Sequence, residues 1–142
     1  MAVKRVEAGI YRNYKGNLYF VLGQSTPGAD PTDDDQTIVV YHPLYQVENM
    51  GWRFRTYHSF FAEISRPEFN YVGPRFVKIA DWNLPNLIPG TKFRNAVNAE
   101  EIIMTVTAVV EIEPGKIAVH TDDGRKWPLA VIEDWASAKF WR

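Results

Sequence analysis

The chain has 142 residues, with 16 Lys and Arg against 17 Asp and Glu, and it contains no cysteine. This length fits one ordinary domain or two small ones, and the lack of cysteine excludes disulfides and thiolate metal sites. A formal net charge of -1 gives no overall attraction to DNA or RNA, so any anion binding must be local. No signal-peptide core and no run of 18 apolar residues occurs, so we expect a cytoplasmic protein without a membrane partner.

The first predicted element is a β-hairpin over residues 9–23. Aromatic and β-branched residues lie on both sides of Lys15-Gly16-Asn17, and a glycine beside an asparagine provides the positive φ of a tight turn. Residues 24–36 contain prolines and four aspartates and predict a loop, whose carboxylates lack the spacing of an EF-hand. Thr37–His42 is an apolar run of strand length that Pro43 ends.

A strictly alternating segment follows and predicts another strand. Period two places Arg53, Arg55 and Tyr57 on one face, and Trp52 and Phe54 on the other. Two arginines therefore point the same way.

Three further segments complete the first half of the chain. Residues 58–64 predict a short turn or 3₁₀ segment, and residues 71–79 predict one more strand. Residues 81–89 contain two prolines, which cannot extend a central strand, and predict a linker. We therefore divide the chain into a β unit at 1–80, the linker at 81–89, and a second small β unit at 90–142.

The second half repeats the general pattern of the first. Ile102–Ile112 predicts a long strand, and turns at 113–115 and 122–124 connect it to two shorter strands. Trp135 and Phe140 are close to helical register and predict a short C-terminal helix. The predicted fold class is mainly β, with two small SH3-like β-barrel units in tandem; the alternative is one irregular β domain.

A family resemblance supports the first unit. It rests on residues 9–23, then Val39-Val40-Tyr41 with Leu44-Tyr45, then Gly51-Trp52 with Arg55 and Phe60, and Phe69-Asn70-Tyr71-Val72-Gly73. This pattern resembles a small bacterial and phage domain family of unknown function, whose motif runs Gly-Ile-Tyr-Arg-x-Tyr-Lys-Gly-Asn-x-Tyr-x-Val-Leu-Gly. The resemblance covers about the first half of the chain and implies a compact β-barrel without implying an activity. For a phage protein, the location would be the host cytoplasm.

No motif of an enzyme or a metal site is present in the sequence. His42, His58 and His120 lie in separate segments without the spacing of metal ligands, and no serine has the context of a nucleophile elbow. Walker and dinucleotide-binding loops are absent. The sequence therefore favours a non-enzymatic protein and gives no reason to expect a cofactor or a metal.

Recognition of a ligand is the remaining interpretation. The chain has 5 Trp, 7 Tyr and 8 Phe, and aromatic residues repeatedly stand beside arginines. Such pairs suit ligands that carry a flat ring and a phosphate, because rings stack and an arginine fork binds phosphate bidentately. The opposing interpretation is that the aromatics are core residues and the arginines are solvated. The predicted ligand-binding residues are Tyr11, Arg12, Arg53, Arg55, Tyr57, Arg94, Arg125 and Trp127.

Three function classes remain open. The first is a non-enzymatic binder of a nucleotide-like small molecule, such as a phage sponge that sequesters a host immune signalling nucleotide, with the pocket built in a homo-oligomer. The second is an SH3-like or Tudor-like interaction module for a peptide or a nucleic-acid strand, the nucleic acid being less favoured. The third is a cryptic hydrolase. We adopt the first as the working hypothesis.

Overall fold

The structure is a computed structural model that describes residues 5–25, 36–97 and 100–137, with side chains described outside 94–102 and 134–137. Most of the predicted acidic loop, from 26 to 35, lies outside the described residues. In chain order the elements are β1 (Gly9–Asn13), β2 (Leu18–Ser25), β3 (Ile38–Pro43), β4 (Arg53–Thr56), α1 (Tyr57–Phe60), β5 (Glu63–Arg66), β6 (Tyr71–Pro74), β7 (Phe76–Asp81), β8 (Lys92–Val97), β9 (Glu100–Glu113), β10 (Lys116–Thr121), β11 (Lys126–Pro128) and α2 (Leu129–Ser137). Two 3₁₀ turns lie at Pro67–Phe69 and Pro85–Leu87.

The described strands form three antiparallel sheets. One sheet has five strands in the order β4-β3-β2-β1-β7, a second has four in the order β11-β10-β9-β8, and β5 pairs with β6. The predicted mainly-β class and the C-terminal helix are confirmed, although Phe140, on which the prediction of that helix partly rests, lies outside the described residues. None of the sheets described closes into a barrel.

The predicted β1–β2 hairpin is confirmed, and its turn is fixed by one side chain. The Asn13 carboxamide oxygen accepts hydrogen bonds from the backbone N–H groups of Lys15 at 3.1 Å and Asn17 at 3.0 Å. Gly16 has a φ of +87°, which a residue with a Cβ rarely adopts. The turn places Tyr14 and Lys15 at one end of the five-stranded sheet.

The strand predicted at 71–79 is instead two strands with different partners. β6 pairs with β5, whereas β7 pairs with β1 at the edge of the five-stranded sheet. Pro74 ends the first strand, and its missing N–H prevents a continuous ladder through this point. Arg75 lies between the two strands, and its N–H donates to the Ala62 carbonyl at 2.8 Å.

The five-stranded and four-stranded sheets share one apolar core. Ile10, Leu18 and Phe20 from the first sheet are fully or almost fully buried in the same cluster as apolar side chains of the second sheet. Those partners are Phe93, Met104, Val106, Val109, Ile117 and Val119, together with Ile132 of α2. The segment between the sheets adds Trp82 and Leu87 to this cluster, and the division into 1–80, 81–89 and 90–142 stays a prediction.

The opposite face of the five-stranded sheet has a second, aromatic core. Phe60 and Phe76 stack at a centroid distance of 4.3 Å, and Tyr11, Tyr19 and Tyr41 pack around them. α1 delivers Phe60 to this face, since Thr56 caps the helix through a hydrogen bond from the Ser59 N–H at 3.2 Å. No described helix is long and apolar enough to cross a membrane.

Candidate functional site

The arginines of β4 point towards the aromatic core. β4 pairs with β3 so that Arg53 is opposite Tyr41 and Arg55 is opposite Val39, both of which are buried. The two arginines are half-buried, whereas Phe54 between them is 68% exposed. The alternation predicted from the sequence is thus confirmed for this strand, and the arginine face is the inner one.

Ser59 anchors two guanidinium groups side by side. Arg55 Nη1 donates to the Ser59 hydroxyl at 3.4 Å, and Arg75 Nε donates to the Ser59 carbonyl at 3.1 Å. Arg55 Nε also donates to the Tyr41 hydroxyl at 3.1 Å. Because each guanidinium has five N–H donors, most of the donors of Arg55 and Arg75 have no protein acceptor within the described residues.

These cations lie close together without a neutralising carboxylate. Within the described part of the chain, no ion pair involves Arg53, Arg55, Arg75 or Lys15. Burial, together with the nearby charges of Arg55 and Arg66, lowers the pKa of Arg75 from its usual value. The arrangement is therefore a concentration of positive charge that an anion would relieve.

Tyrosine hydroxyls form the floor beneath the arginines. The hydroxyls of Tyr19 and Tyr45 share a hydrogen bond of 2.5 Å, and Asn13 Nδ2 donates to the Tyr19 hydroxyl at 3.3 Å. Burial and the hydrogen bond with Tyr45 raise the pKa of Tyr19. Tyr19 therefore stays protonated at neutral pH and is not suited to act as a general base.

An aromatic cluster lies next to this floor. Tyr14 meets Phe69 edge to face at a centroid distance of 5.4 Å, and the Arg66 guanidinium is 5.3 Å from the Tyr14 ring centre. Lys15 Nζ is 5.7 Å from the Phe69 ring centre, and Phe69 is 47% exposed. The cluster presents an aromatic surface that a flat ligand could contact.

Most of these groups line a cavity of about 190 Å³, which we call the basic cavity, whereas Ser59, Arg66 and Phe69 are next to it in contact with its lining. Its described lining residues are Asn13, Tyr14, Lys15, Asn17, Tyr19, Tyr41, Tyr45, Arg53, Arg55, Arg75 and Phe76. This lining contains four cationic side chains and no carboxylate. The basic cavity is therefore the candidate functional site, and its composition favours an anionic ligand.

Two of the predicted ligand-binding residues line the basic cavity, and three others from the first half do not. Arg53 and Arg55 are in it, whereas Tyr11 is buried in the aromatic core with its hydroxyl donating to the Glu7 carbonyl at 2.8 Å. Arg12 pairs with Glu111 of β9 at 2.6 Å and so connects the two larger sheets. Tyr57 packs on Phe61 at a centroid distance of 4.8 Å.

The predicted residues of the second half lie on the other sheet. Arg125 pairs with Asp123 at 3.4 Å, and its guanidinium is 5.5 Å from the Trp127 ring centre. Trp127 Nε1 donates to the Thr121 hydroxyl at 3.2 Å. Neither residue lines the basic cavity. Arg94 is among the residues whose side chains the structure does not describe.

Sequence reasoning missed most of the lining of the basic cavity. Arg75 stands directly before Phe76, so the pairing of arginine with an aromatic that selected the other candidates was present here too. Lys15 belongs to the predicted turn and Tyr14 to the strand residues before it, and neither is among the predicted ligand-binding residues. No local pattern indicates that Tyr19, Tyr41 and Tyr45 come together, because their contacts depend on strand register.

Other features of the described residues fit a ligand site less well. A larger cavity of about 550 Å³ is bounded by Glu7, Asp81 and Glu133, but Lys78 there contacts both Glu7, at 3.3 Å, and Asp81. In the part of the chain that the structure describes, no group of three or more His, Asp or Glu side chains could hold a metal. We prefer the smaller basic cavity because its charge is not internally neutralised.

Comparisons with known proteins give one match. A search of curated proteins and a search of solved structures each found no match to the chain. Residues 9–78, just under half of the chain, match the family described as Protein of unknown function (DUF1653). All described residues that line the basic cavity lie within the matched segment. The first half of the chain is therefore similar to a domain family of unknown function.

Proposed function

We propose that this protein is a non-enzymatic binder of a nucleotide-like small molecule, whose phosphate is held in the basic cavity. One observation carries the proposal. Arg53, Arg55, Arg75 and Lys15 line a single cavity in which no described carboxylate balances their charge. Stability alone does not call for such a cluster, because like charges held together at reduced solvent exposure repel one another.

The anchoring of the guanidinium groups supports this proposal. Ser59 and Tyr41 hold Arg55, and Ser59 also holds Arg75, so both groups keep their positions before a ligand arrives. Preorganised arginines lose less conformational entropy on binding, and the planar guanidinium matches phosphate oxygens in pairs. The fixed pair would therefore act as a clamp for a phosphate group.

The chemistry of the lining supports binding without turnover. Its polar groups other than the cations are tyrosine hydroxyls and asparagine amides, which donate and accept hydrogen bonds but do not form an acid–base pair at neutral pH. The raised pKa of Tyr19, due first to burial and then to Tyr45, keeps that hydroxyl as a donor. A binder of this kind would act by sequestration, and we propose a phage sponge for a host signalling nucleotide as its role.

A second candidate is an interaction module that binds an extended peptide. Strand β4 lies at the edge of the five-stranded sheet, and Trp52 beside it is 48% exposed while Phe54 on it is 68% exposed. An open strand edge with exposed aromatic side chains is the arrangement used when a peptide adds a strand to a sheet. Phe54 is on the opposite face of β4 from the arginines. A variant at Phe54 therefore tests the peptide-binding candidate, whereas a variant at Arg55 tests the nucleotide-binding candidate.

A thermal-shift screen tests the proposal. Nucleoside mono- and diphosphates, cyclic nucleotides, ADP-ribose variants and short oligonucleotides are added to the protein, because any ligand specific to the folded state raises Tm. We expect a shift with a nucleotide that is recovered unchanged afterwards. Consumption of the nucleotide would contradict the non-enzymatic proposal, and no shift with any compound would favour the interaction module.

Arg55→Ala is the matched variant for the basic cavity, and Arg125→Ala is its control. Arg125 is a more exposed arginine than Arg55, and it pairs with Asp123 on the other sheet. We expect Arg55→Ala to weaken nucleotide binding by at least about tenfold, equal to about 1.4 kcal/mol, without unfolding the protein. Equal binding by the two variants would reject this site.

A further inference from the structure

From the size and charge of the basic cavity, we infer that the ligand enters it by a terminal phosphate monoester and leaves its flat ring outside, on Tyr14 and Phe69. This inference rests on the proposed function and narrows its ligand class. It selects nucleotides with a free phosphate end over cyclic nucleotides, in which every phosphate is a diester.

The volume of the basic cavity limits what can enter. It measures about 190 Å³, whereas pockets that enclose a whole drug-sized ligand measure about 300–1,000 Å³. A phosphate group needs only a fraction of that space. The cavity therefore accepts the phosphate end of a nucleotide but not the base and sugar as well.

The charge and the donors select a phosphate monoester. A monoester carries a charge of about −2 above its second pKa of about 6 and offers three strongly accepting oxygens. A diester carries one negative charge and has two unesterified oxygens. Three arginines and one lysine line the cavity, and the terminal nitrogens of Arg75 have no acceptor within the described residues. The dianion therefore gains more from this cavity than the monoanion does.

Tyr14 and Phe69 provide the surface for the ring. Tyr14 belongs to the lining and also packs against Phe69, which does not line the cavity and is 47% exposed. A ligand whose phosphate contacts Arg55 and Arg75 would extend past Tyr14 towards Phe69. Stacking of a base on an aromatic side chain is tolerant of base identity, so several nucleobases would be accepted.

Matched pairs of nucleotides test the inference on the full chain. The 5′-monophosphate and the 3′,5′-cyclic monophosphate of adenosine, guanosine, cytidine and uridine are each titrated calorimetrically at a pH of about 7.5, where the monoester is dianionic. We expect at least one 5′-monophosphate to bind about tenfold or more tightly than its cyclic partner. A cyclic form that binds equally or better would overturn the inference and leave the proposed function standing. Binding by none of the eight would also overturn the inference, and the proposed function would fail with it only if the thermal-shift screen gave no shift with any compound.

A second experiment separates the phosphate from the ring. Phe69→Ala removes an exposed ring outside the cavity and leaves all of its described cations in place. We expect this variant to bind the selected 5′-monophosphate at least about fivefold more weakly than the wild type, and to bind pyrophosphate as the wild type does. Equal losses for both compounds, or no loss for either, would overturn the placement of the ring at Phe69.

Discussion

The two faces of the five-stranded sheet differ in what they hold, although the side chains of each strand alternate between them. The face that meets the four-stranded sheet is covered by apolar side chains such as Ile10, Leu18 and Phe20. The opposite face also has an aromatic core, but Arg53 and Arg55 project from its edge strand into a cavity. Buried side chains on both faces contribute to stability, but only the second face also holds unpaired positive charge.

The contrast shows where binding function can reside in a small β protein. Buried or half-buried charge that lacks a partner is unfavourable for folding, and such features concentrate at functional sites. The ion pair between Arg12 and Glu111 shows the ordinary structural use of an arginine in the same molecule. The cations of the basic cavity lack such partners among the described residues.

The largest expected effect concerns the aromatic core beneath the basic cavity. Phe60→Ala removes a fully buried ring that stacks on Phe76 at 4.3 Å, and we expect a loss of about 3–5 kcal/mol in the free energy of unfolding. Phe20→Ala on the other face should cost a similar amount, again about 3–5 kcal/mol. Urea denaturation measures both. A loss below about 1 kcal/mol for Phe60→Ala would contradict the tight packing of the aromatic core on this face.

A smaller effect is expected where the two larger sheets are joined. Burial raises the pKa of Glu111, but the hydrogen bonds from Arg12 and from the Gly115 N–H outweigh this and hold the pKa below its usual value. We expect Glu111→Gln to lower stability at neutral pH by about 1–2 kcal/mol, as for other hydrogen bonds to charged groups. Because the folded pKa is lowered, this contribution is present above the unfolded pKa of about 4.3 and is lost as pH falls through the folded value.

The control for that ion pair is an exposed one on the same sheet. Glu113 pairs with Lys116 at 3.1 Å, and both side chains are mostly exposed. We expect Glu113→Gln to change stability by less than about 0.5 kcal/mol.

Denaturation midpoints measured from neutral pH down to about pH 3 should converge for the wild type and Glu111→Gln. A gap that widens on acidification would contradict the role of the ion pair.

The third expected effect concerns Arg75 and salt. Arg75→Met removes one of the crowded cations but also the hydrogen bond to Ser59, so we expect a net stability change within about 1 kcal/mol. Since salt screens like charges, added NaCl up to about 0.15 M should stabilise the wild type more than it stabilises the variant. Denaturation in low and moderate salt measures this difference. The same salt response in both proteins would mean that the cations do not repel one another.

The smallest expected effect is at the exposed edge of the sheet. Phe54 is 68% exposed, so Phe54→Ser should change monomer stability by less than about 0.5 kcal/mol. The homo-oligomer expected from the sequence stays a prediction. Light scattering of the wild type and of Phe54→Ser tests it at this edge: a smaller assembly in the variant would place the interface there, an unchanged oligomer would place it elsewhere, and a monomeric wild type would contradict the prediction.

Local chemistry predicted much of the fold, because it acts over a few residues. The Gly16 turn, the β3 strand before Leu44 and the shared face of Arg53 and Arg55 all follow from turn residues or from period two, whereas period two does not tell which face of the strand is the inner one. The break at Pro74 was missed, although proline disfavours a continuous ladder. Its effect depends on β6 and β7 having different partner strands, and sequence alone does not specify those partners.

The candidate site was predicted less completely than the fold, and for a physical reason. Alternation predicts that Arg53 and Arg55 share a face but not which other strands face them. Arg75 reaches the basic cavity through long-range pairing and through the Ser59 carbonyl, which is 16 residues away in sequence. Arg125 and Trp127 satisfied the same local pattern, yet they lie on the other sheet.

The most direct test of the account is one calorimetric titration of nucleoside 5′-monophosphates into three proteins. They are the wild type, the Arg55→Ala/Arg75→Ala double variant and Arg125→Ala, each with its Tm measured first. The account predicts that the double variant melts within about 4 °C of the wild type, as for a change of about 1 kcal/mol, and does not bind, while Arg125→Ala binds as the wild type does. Binding of equal strength by the double variant, or its failure to fold, would contradict the central claim that these arginines form a ligand site.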